Sequence, residues 1–374
     1  MSLEGPKSLE ELRRQLDGID KRFVELIAER QATIRNITAV KKSTSFPLRD
    51  FGRERDVLER ARANAQAAGV SPDVAESILS QLIRYSLTQQ EQASVVSHRA
   101  GTGQRALVIG GAGKMGGWFV RYLDSQGFNV DIADPYAAAT QNVIADWRQS
   151  DLQHDFIVVA TPLGMANDVL NELAQRKPSG VVFDLGSLKT PVTPGLNALA
   201  AAGVRVTSLH PMFGPDTELL LGRHIIFADM KAGDALARTQ DLFAPTMAEQ
   251  TVMTLAEHDH LIAYVLGLSH AVNIAFFTAL MHSSETAPRL LELSSTTFDS
   301  QFEVARRVAQ ESPKLYFEIQ QLNQFGREPL DALLQAVQSI RQAVIDGDAN
   351  KFEALMTAGR DYMGERRKDS APRR

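Results

Sequence analysis

The sequence predicts a multidomain protein in which an α/β domain with a parallel sheet lies between two all-α domains. Residues 8–95 contain only helix signals, whereas short apolar strands alternate with helices from Ala106 to about residue 256. From Glu257 onward, apolar residues again recur at helical spacing. A length of 374 residues suits two or three domains. We expect domains at 1–95, 105–256 and 257–374, with a short linker rich in Ser and Gly at 96–104.

The composition is that of an ordinary globular protein and excludes several functional classes. Hydrophobic residues make up 44% and charged residues 23% of the chain. A net charge of −5 argues against a general nucleic-acid surface, and the absence of cysteine excludes disulfides, thiolate catalysis and cysteine-ligated metal. No apolar run approaches the roughly 20 residues of a membrane span, and the N-terminus lacks a signal-peptide core. We expect a cytoplasmic protein without metal, nucleic-acid or membrane partners.

The N-terminal domain begins with a predicted helix that carries a long apolar seam. Ser8 and Glu11 have the spacing of a capping box. Alternating three- and four-residue steps follow, as in a coiled coil, but polar Arg30 and Thr33 occupy two of the positions. A buried guanidinium is costly without an anion, so Arg30 needs a partner. The seam positions are Leu9, Leu12, Leu16, Ile19, Phe23, Leu26, Arg30, Thr33, Ile37 and Val40.

Two further helices are predicted, one over about Gly52–Ala68 and one that starts at Ser71. One row of the last helix begins apolar and ends in Ser86 and Gln90, which we expect to face the same interior as Arg30. Two hypotheses remain open for this domain. It is either a dimerising hairpin in which a Glu pairs with Arg30, or a binding site for a small dianion. The residues that favour a dianion site are Arg13, Arg30, Lys41, Arg53, Glu54 and Gln90.

The domain resembles the all-helical chorismate mutase family, in which two chains interlock to form two active sites. The resemblance covers residues 9–92 and rests on Arg13, Arg30 and Arg53 in their local motifs. It implies that these arginines hold the substrate carboxylates and that the partner chain supplies Arg13. The rearrangement of chorismate to prephenate needs only a fixed conformer and a cation near the developing negative oxygen. Further implied contacts are Lys41 and Gln90 with the breaking ether oxygen, and Asp50, Glu54 and Ser86 with the hydroxyl and one carboxylate.

The α/β domain opens with a strand, a glycine turn and a helix. Gly111, Gly113 and Gly116 fit the GxGxxG pattern that follows such a strand. A second strand ends in Asp134, where an acid binds a ribose diol and repels a 2′-phosphate. We therefore predict a Rossmann domain that binds NAD rather than NADP; the alternative is a glycine turn without nucleotide. The expected cofactor-binding residues are Gly111, Ala112, Gly113, Lys114, Met115, Gly116, Asp134, Thr161 and Pro162.

Polar clusters follow three later strands of the predicted sheet, at the carboxyl ends where such sheets bind ligands. They are Thr161-Pro162, Leu185–Lys189 and Leu209–Pro215. His210, in the last cluster, could accept a hydroxyl proton while hydride leaves the same carbon. The alternative is a turn histidine satisfied by backbone groups. The surrounding LHPMFGPD and the neighbouring nicotinamide site favour the catalytic interpretation.

The C-terminal domain is predicted to be helical from Glu257 to about Tyr362, with His270 on its first long helix. Bulky apolar side chains on more than one face indicate contacts beyond one chain, so we expect a homodimer. Arg306 and Arg307 share a later helix. Each either binds an anion or is a solvated surface charge.

The motifs of the second and third domains resemble prephenate dehydrogenase: GGAGKMG, DLGSLK, LHPMFGPD, EHDH and the helix with two arginines. With the helical domain in front, their order resembles the bifunctional chorismate mutase/prephenate dehydrogenase family of tyrosine biosynthesis. The resemblance implies that His210 accepts the C4 hydroxyl proton of prephenate, hydride passes to NAD⁺, and carbon dioxide leaves to give 4-hydroxyphenylpyruvate. It further implies that Arg307 binds the ring carboxylate, Ser187 orients His210, and His270 lies near nicotinamide and substrate. Lys189 is a secondary candidate for the substrate site.

Other interpretations of the sequence remain. Asp299 stands where the resemblance leads us to expect a basic residue, so we assign no second carboxylate-binding arginine there. Tyrosine is a possible feedback inhibitor. A dehydrogenase of arogenate or a 3-hydroxy acid, with a non-catalytic helical dimeriser, is one alternative function. A non-catalytic NAD sensor is another alternative, but the presence of His210 and Arg307 argues against it.

Overall fold

The computed structural model describes residues 8–44, 49–138 and 142–369. The N-terminal domain consists of α1 (Leu9–Thr44), α2 (Phe51–Ala67) and α3 (Pro72–His98). The predicted capping box opens α1: the N–H of Ser8 donates to Glu11 Oε2 at 2.8 Å, and that of Glu11 donates to Ser8 Oγ at 3.2 Å. Ser71 precedes α3 with Pro72 in the first turn, but its side chain makes no capping hydrogen bond.

The apolar seam of α1 is exposed over most of its length in this single chain. Leu9 is 65%, Leu16 56% and Leu26 62% exposed. Farther along, Gln31 and Thr38 are buried, and α1 packs against α3. Only the second half of α1 is therefore packed within the chain.

An eight-stranded sheet forms the central domain, in the order β3-β2-β1-β4-β5-β6-β7-β8. The strands β1 to β6 are parallel, β7 is antiparallel to β6, and β8 is parallel to β7. The first six strands have the Rossmann order, which confirms the predicted fold. The strands are β1 (Arg105–Ile109), β2 (Asn129–Ala133), β3 (Val143–Ile144), β4 (Phe156–Val159), β5 (Val181–Asp184), β6 (Val206–Pro211), β7 (His224–Ala228) and β8 (Glu249–Met253).

Helices cover both faces of this sheet because its strands are apolar on both sides. Alternate residues of β1 enter opposite cores: Val108 packs with Phe119 and Phe183, whereas Leu107 packs with Ile157 and Leu170. The strand order reverses between β1 and β4, which opens a crevice at their carboxyl ends. The covering helices are α4 (Lys114–Ser125), α5 (Leu163–Arg176), α6 (Thr193–Ala201) and α7 (Ala235–Asp241).

The C-terminal domain is all-helical, as predicted. A π-helical segment, Ala263–Leu268, joins its first two helices into one rod, and it packs against α12 and α13. The helices are α8 (Leu255–Ile262), α9 (Ser269–Met281), α10 (Ala287–Glu292), α11 (Thr296–Ala309), α12 (Pro313–Leu322), α13 (Arg327–Asp346) and α14 (Ala349–Asp369).

The rod Leu255–Met281 corrects one expectation from the sequence. By length and composition it is apolar enough to cross a membrane, with a mean hydropathy of 1.7 over 18 residues. The expectation that no apolar run approaches this length was wrong, because apolar residues on several faces of one helix add up despite polar interruptions. In the structure α8 packs against β7 and α9 against α11, while Val265 and Met281 remain exposed.

The junction between the first two domains differs from the expected linker. Helix α3 runs to His98, and its Val95 belongs to the apolar core around Phe119 and Phe128. Beyond it, the N–H of Gly101 donates to the carbonyl of Gln126 at 3.1 Å. The last turns of α3 are therefore packed on the α/β domain.

Candidate functional site

The three N-terminal helices enclose a pocket of about 310 Å³. Its wall contains every residue predicted for the mutase site except Arg13, together with apolar side chains such as Ile34 and Leu87. A pocket with cationic and apolar walls suits a small, anionic, carbon-rich ligand. The predicted residues it brings together are Arg30, Lys41, Asp50, Arg53, Glu54, Ser86 and Gln90.

Helix α3 orients Arg30. Its NH1 donates to the carbonyl of Leu82 at 3.3 Å and to Ser86 Oγ at 3.0 Å. Burial lowers the pKa of Arg30 from its ordinary value. Within residues 8–44, 49–138 and 142–369 no carboxylate forms an ion pair with this guanidinium, so the structure does not support the alternative in which a Glu pairs with it. The guanidinium is fixed by neutral acceptors and keeps its charge for an anion in the pocket.

Two acidic residues of the pocket are engaged by their own helix and loop. Asp50 Oδ1 accepts the N–H of Arg53 at 2.9 Å and so caps α2. Arg49, which we did not predict as a site residue, donates to both carboxylate oxygens of Glu54. Its Nε lies 2.9 Å from Oε1, and its NH2 lies 3.1 Å from Oε2. The same guanidinium lies 3.8 Å from the centre of the Phe51 ring. Arg49 thereby neutralises Glu54 where an anionic ligand would otherwise be repelled.

Arg13 lies outside this pocket. It precedes Arg30 by 17 residues on the same helix, α1, which corresponds to about 25 Å at 1.5 Å per residue. Buried Gln90 Oε1 and Gln31 Nε2 have no hydrogen-bond partner in the part of the chain that the structure describes. Since buried polar atoms are normally paired, these two amides indicate a polar ligand between α1 and α3.

The glycine turn after β1 is built for close packing. Gly110 has φ +88°, a conformation that L side chains rarely adopt. A Cβ on Gly116 would lie 2.1 Å from the carbonyl oxygen of Gly110, and one on Gly111 would lie 2.8 Å from Ile132. Only glycines let α4 start this close to the strand, with its N-terminal N–H groups at the crevice.

Beside this turn lies a cleft of about 880 Å³ at the carboxyl ends of β1, β2, β4 and β5. Asp134 stands in its wall and accepts the N–H groups of Ala112 at 3.1 Å and Tyr136 at 2.9 Å. Thr161 Oγ1 is buried without a partner in the described residues. The glycine cradle, the acid and this orphaned hydroxyl fit a dinucleotide. Of the predicted residues, those lining the cleft are Ala112, Gly113, Met115, Asp134, Thr161, Pro162 and Ser187, whereas Gly111, Lys114 and Gly116 form the turn and helix start behind it.

Three side chains form a hydrogen-bonded series at the end of β6. Nδ1 of His210 lies 2.8 Å from Nε2 of His258, and Nδ1 of His258 lies 2.7 Å from Asp259 Oδ1. All three are buried, with exposures of 5%, 1% and 0%. His210 comes from the sheet and the other two from α8, so this series ties the α/β domain to the C-terminal domain.

The carboxylate of Asp259 accepts several further hydrogen bonds, which fix its position at the end of the series. It accepts the N–H of Lys189 at 2.7 Å and both the N–H and the hydroxyl of Thr190. Burial alone would raise its pKa, but the hydrogen bonds from His258 and Thr190 outweigh that effect and lower it. Asp259 is therefore an anion, and it accepts a hydrogen bond from Nδ1–H of His258.

This anion sets the tautomers along the series. With Nδ1–H of neutral His258 donated to Asp259, its Nε2 must accept, so His210 donates from Nδ1. Nε2 of His210 then carries the lone pair. Burial lowers the pKa of His210 well below that of an ordinary histidine, and His258 and Lys189 lower it further. His210 is thus a neutral proton acceptor.

Two expectations about neighbouring residues change. The ring contact that orients His210 comes from His258, and no hydrogen bond joins Ser187 to His210 in the described ranges. Lys189, a candidate for the substrate, is 1% exposed and donates to Asp184 at 3.0 Å and to the carbonyl of Leu209 at 2.9 Å. It therefore braces the ends of β5 and β6.

The remaining predicted residues lie in the C-terminal domain. His270 stacks on Tyr316 with ring centroids 4.0 Å apart, and burial lowers its pKa. Leu315, which precedes Tyr316 on α12, lines the dinucleotide cleft. Arg307 is exposed on α11, where its Nε donates to the carbonyl of Glu303 at 3.4 Å. Among the described residues of this chain, no hydrogen bond or ion pair links Arg307 to His210 or His270.

The sequence analysis missed His258, Asp259 and Arg49 as site residues. The signal for the first two was present in EHDH, since an aspartate beside a histidine on one helix turn can orient that ring. The contact between His258 and His210, however, spans 48 residues and depends on how α8 packs on the sheet. Arg49 was hidden in a stretch with many charges.

Three family models match consecutive parts of the chain. Residues 12–91 match chorismate mutase type II, residues 126–252 the nucleotide-binding domain of prephenate dehydrogenase, and residues 254–358 its dimerization domain. The matches follow the three structural domains in order and confirm the predicted nucleotide-binding domain. The second model starts downstream of the glycine turn, so the geometry of that turn is separate evidence for a nucleotide.

Relatives and solved structures agree with these matches. The T-protein of Enterobacter agglomerans is 25% identical over 360 residues, which cover 96% of this chain and 93% of that protein. The T-protein of Haemophilus influenzae is 24% identical over 362 residues, with the same coverage. The prephenate dehydrogenase of A. aeolicus, solved with hydroxyphenyl propionate and NAD⁺, aligns with a TM-score of 0.57 at 20% identity, covering 70% of this chain and 98% of that one; this likeness shows the fold.

A mutase-type helical domain, a Rossmann domain and a helical dehydrogenase domain thus follow one another in a chain that aligns almost end to end with two T-proteins. The chain belongs to the family of bifunctional chorismate mutase/prephenate dehydrogenases.

Proposed function

We propose that this chain rearranges chorismate to prephenate and then oxidises prephenate with NAD⁺ to 4-hydroxyphenylpyruvate and carbon dioxide. The observation that carries the proposal is the series His210–His258–Asp259 at the strand ends of a dinucleotide-binding sheet. The separate cationic pocket around Arg30 supports the first activity.

The mutase step is a rearrangement within one molecule, so the pocket has to hold and polarise rather than exchange protons. Arg30 and Arg53 bind the two carboxylates and fix the reactive conformer. Lys41 and the amide nitrogen of Gln90 face the ether oxygen, where negative charge develops as its bond to the ring breaks. The apolar wall excludes water, which strengthens these interactions.

The dehydrogenase step uses the lone pair on Nε2 of His210. When bound, nicotinamide supplies the hydride acceptor. His210 accepts the C4 hydroxyl proton as hydride leaves C4, so that C4 becomes a carbonyl, and the positive charge on the His210 ring is stabilised through His258 by Asp259. The ring–carboxylate bond then breaks, its electron pair completes the aromatic ring, and the phenolate oxygen takes the proton back. Arg307 is proposed to bind the ring carboxylate, and His270 to border the substrate.

We propose a cytoplasmic homodimer as the functional form. Arg13 lies too far from the pocket of its own chain, and the α1 seam around Leu16 is exposed, as interlocked α1 helices would require. In the C-terminal domain Leu334 and Val337 of α13 are also exposed. A second chain would cover both surfaces and could bring Arg307 to a neighbouring site.

One assay tests both activities. Chorismate alone should give prephenate, and chorismate with NAD⁺ should give 4-hydroxyphenylpyruvate and NADH. His210→Asn should lower oxidation by about 10²–10⁴-fold and leave the mutase rate unchanged. Persistent oxidation by this variant would place the base elsewhere, and unchanged chorismate would refute the first activity. The same assay with arogenate as substrate tests substrate preference, and the assay with added tyrosine tests inhibition.

A further inference from the structure

Glu91 of α3 is a buried carboxylate that joins the two catalytic domains. It is 3% exposed, and both of its oxygens accept backbone N–H groups of the α/β domain. Oε2 accepts from Leu220 at 2.7 Å and Oε1 from Met247 at 2.5 Å. No basic side chain forms an ion pair with it in the described ranges. Burial raises the pKa of Glu91, and the two backbone hydrogen bonds offset this only in part.

The two N–H groups belong to separate loops at one edge of the sheet. Leu220 lies in the loop 212–223, which starts directly after His210-Pro211 and leads into β7. Met247 lies in the turn that precedes β8, and β8 starts beside β7 with His224 opposite Glu249. Since β7 runs antiparallel to β6, both loops lie at the carboxyl end of β6, where His210 stands.

The loop 212–223 has a second anchor from inside its own domain. Trp118 of α4 donates from its indole N–H to the carbonyl of Thr217 at 2.9 Å, and its ring packs on Phe213 at 5.0 Å. The mutase helix, through Glu91, and α4, through Trp118, therefore both hold the loop after His210. An apolar residue would fill the place of Glu91 with less loss of solvation, but only a carboxylate offers two acceptors to two loops.

We propose that Glu91 is a positioning residue of the dehydrogenase site, contributed by the mutase domain. It clamps the loop after His210 to the turn before β8 and so fixes the wall against which prephenate is oxidised. Ser86 and Gln90, on the same helix, line the mutase pocket. The clamp thereby makes α3 a shared element of both sites. This inference rests on the proposed dehydrogenase function.

The test compares Glu91→Gln with Glu218→Gln in the full chain. The amide of the first variant can accept only one of the two N–H groups and turns its own NH₂ toward the other. Glu218 is exposed in the clamped loop itself, so its variant removes the same charge without touching the clamp. Glu91→Gln should lower kcat/KM for prephenate about tenfold, leave the mutase kcat/KM within about twofold, and speed amide exchange in 212–223 and 244–248. Glu218→Gln should behave as the unaltered chain.

Glu91→Asp keeps the charge but is one methylene shorter, so an intermediate loss is expected, and it replaces Glu91→Gln should that variant not fold. Unchanged prephenate oxidation by Glu91→Gln would overturn the proposal. A parallel fall of both activities with thermal stability would also overturn it, since that outcome reports a structural role only. If the unaltered chain does not oxidise prephenate, the proposed function fails, whereas the exchange measurement still tests the clamp.

Discussion

The 2.8 Å contact between Nδ1 of His210 and Nε2 of His258 determines which nitrogen of His210 can accept a proton. Because Nδ1–H of His258 donates a hydrogen bond to Asp259, Nε2 of His258 accepts from His210, and the lone pair of His210 is left on its Nε2. The arrangement resembles a serine-protease triad in its logic, with a buried aspartate that orients a histidine, but a second histidine occupies the middle position.

Replacement of His258 by Ala should lower the dehydrogenase kcat about 100-fold, because His210 would lose its tautomer and ring orientation. His260→Ala is the matched control. It removes an exposed histidine two residues along α8, whose ring packs against the rings of Tyr264 and Phe325. Steady-state prephenate oxidation at saturating NAD⁺ measures the effect. Equal rates for the two variants would contradict a role for His258.

The pH dependence of oxidation should reflect the burial of His210. The ring must be neutral to accept a proton, so activity is lost as the pH falls through its pKa. Since burial lowers that pKa well below the usual value of about 6.5, kcat/KM should stay level through pH 6.5 and fall only in more acidic solution. The mutase rate of the same sample serves as the internal reference. An acid limb at or above pH 6.5 would show that His210 is more exposed than in this structure.

Features set by neighbouring residues could be predicted from the sequence. The Ser8–Glu11 capping box and the strand–glycine–helix start depend on a few consecutive residues, and both are present. The pocket around Arg30 was also predictable, because helical spacing placed Ser86 and Gln90 on the row that faces it. Periodicity carries such information because it fixes which side chains share a face.

Contacts between domains could not be predicted in this way. The partner of His210 was assigned to Ser187 in the neighbouring loop, whereas the structure gives it to His258, which only the packing of α8 brings near. Glu91 likewise reaches Leu220 and Met247 across 129 and 156 residues. The spacing of residues along the chain does not predict either contact, because each depends on how the domains pack against one another.

Arg30→Ala should lower the mutase kcat/KM by about 10²–10³-fold, since one preorganised cation at the pocket wall would be lost. Arg35→Ala, an exposed arginine on the same helix, is the control and should leave the rate unchanged. Prephenate oxidation should be intact in both variants, because the two pockets are separate. The mutase rate is measured from the decrease in chorismate absorbance. A rate for Arg30→Ala equal to that of Arg35→Ala would remove this guanidinium from the mechanism.

Two adjacent glycines on α4 offer a sharp test of the dinucleotide site. A Cβ on Gly116 would lie 2.1 Å from the backbone oxygen of Gly110, whereas one on Gly117 would lie 3.5 Å from the oxygen of Gly111, an ordinary contact. Gly116→Ala must therefore push α4 away from the turn, and we expect a loss of stability of about 1–3 kcal/mol with NAD⁺ affinity reduced at least about tenfold.

Gly117→Ala adds the same methyl group one residue later and should be neutral or stabilising, because alanine favours a helix by up to about 1 kcal/mol over glycine. Thermal unfolding and NAD⁺ titration of the two variants measure the difference. Should both bind NAD⁺ as tightly as the unaltered chain, close approach of α4 to the Gly110 carbonyl would not be what forms the site. The mutase pocket lies on other helices, so its rate should not change in either variant.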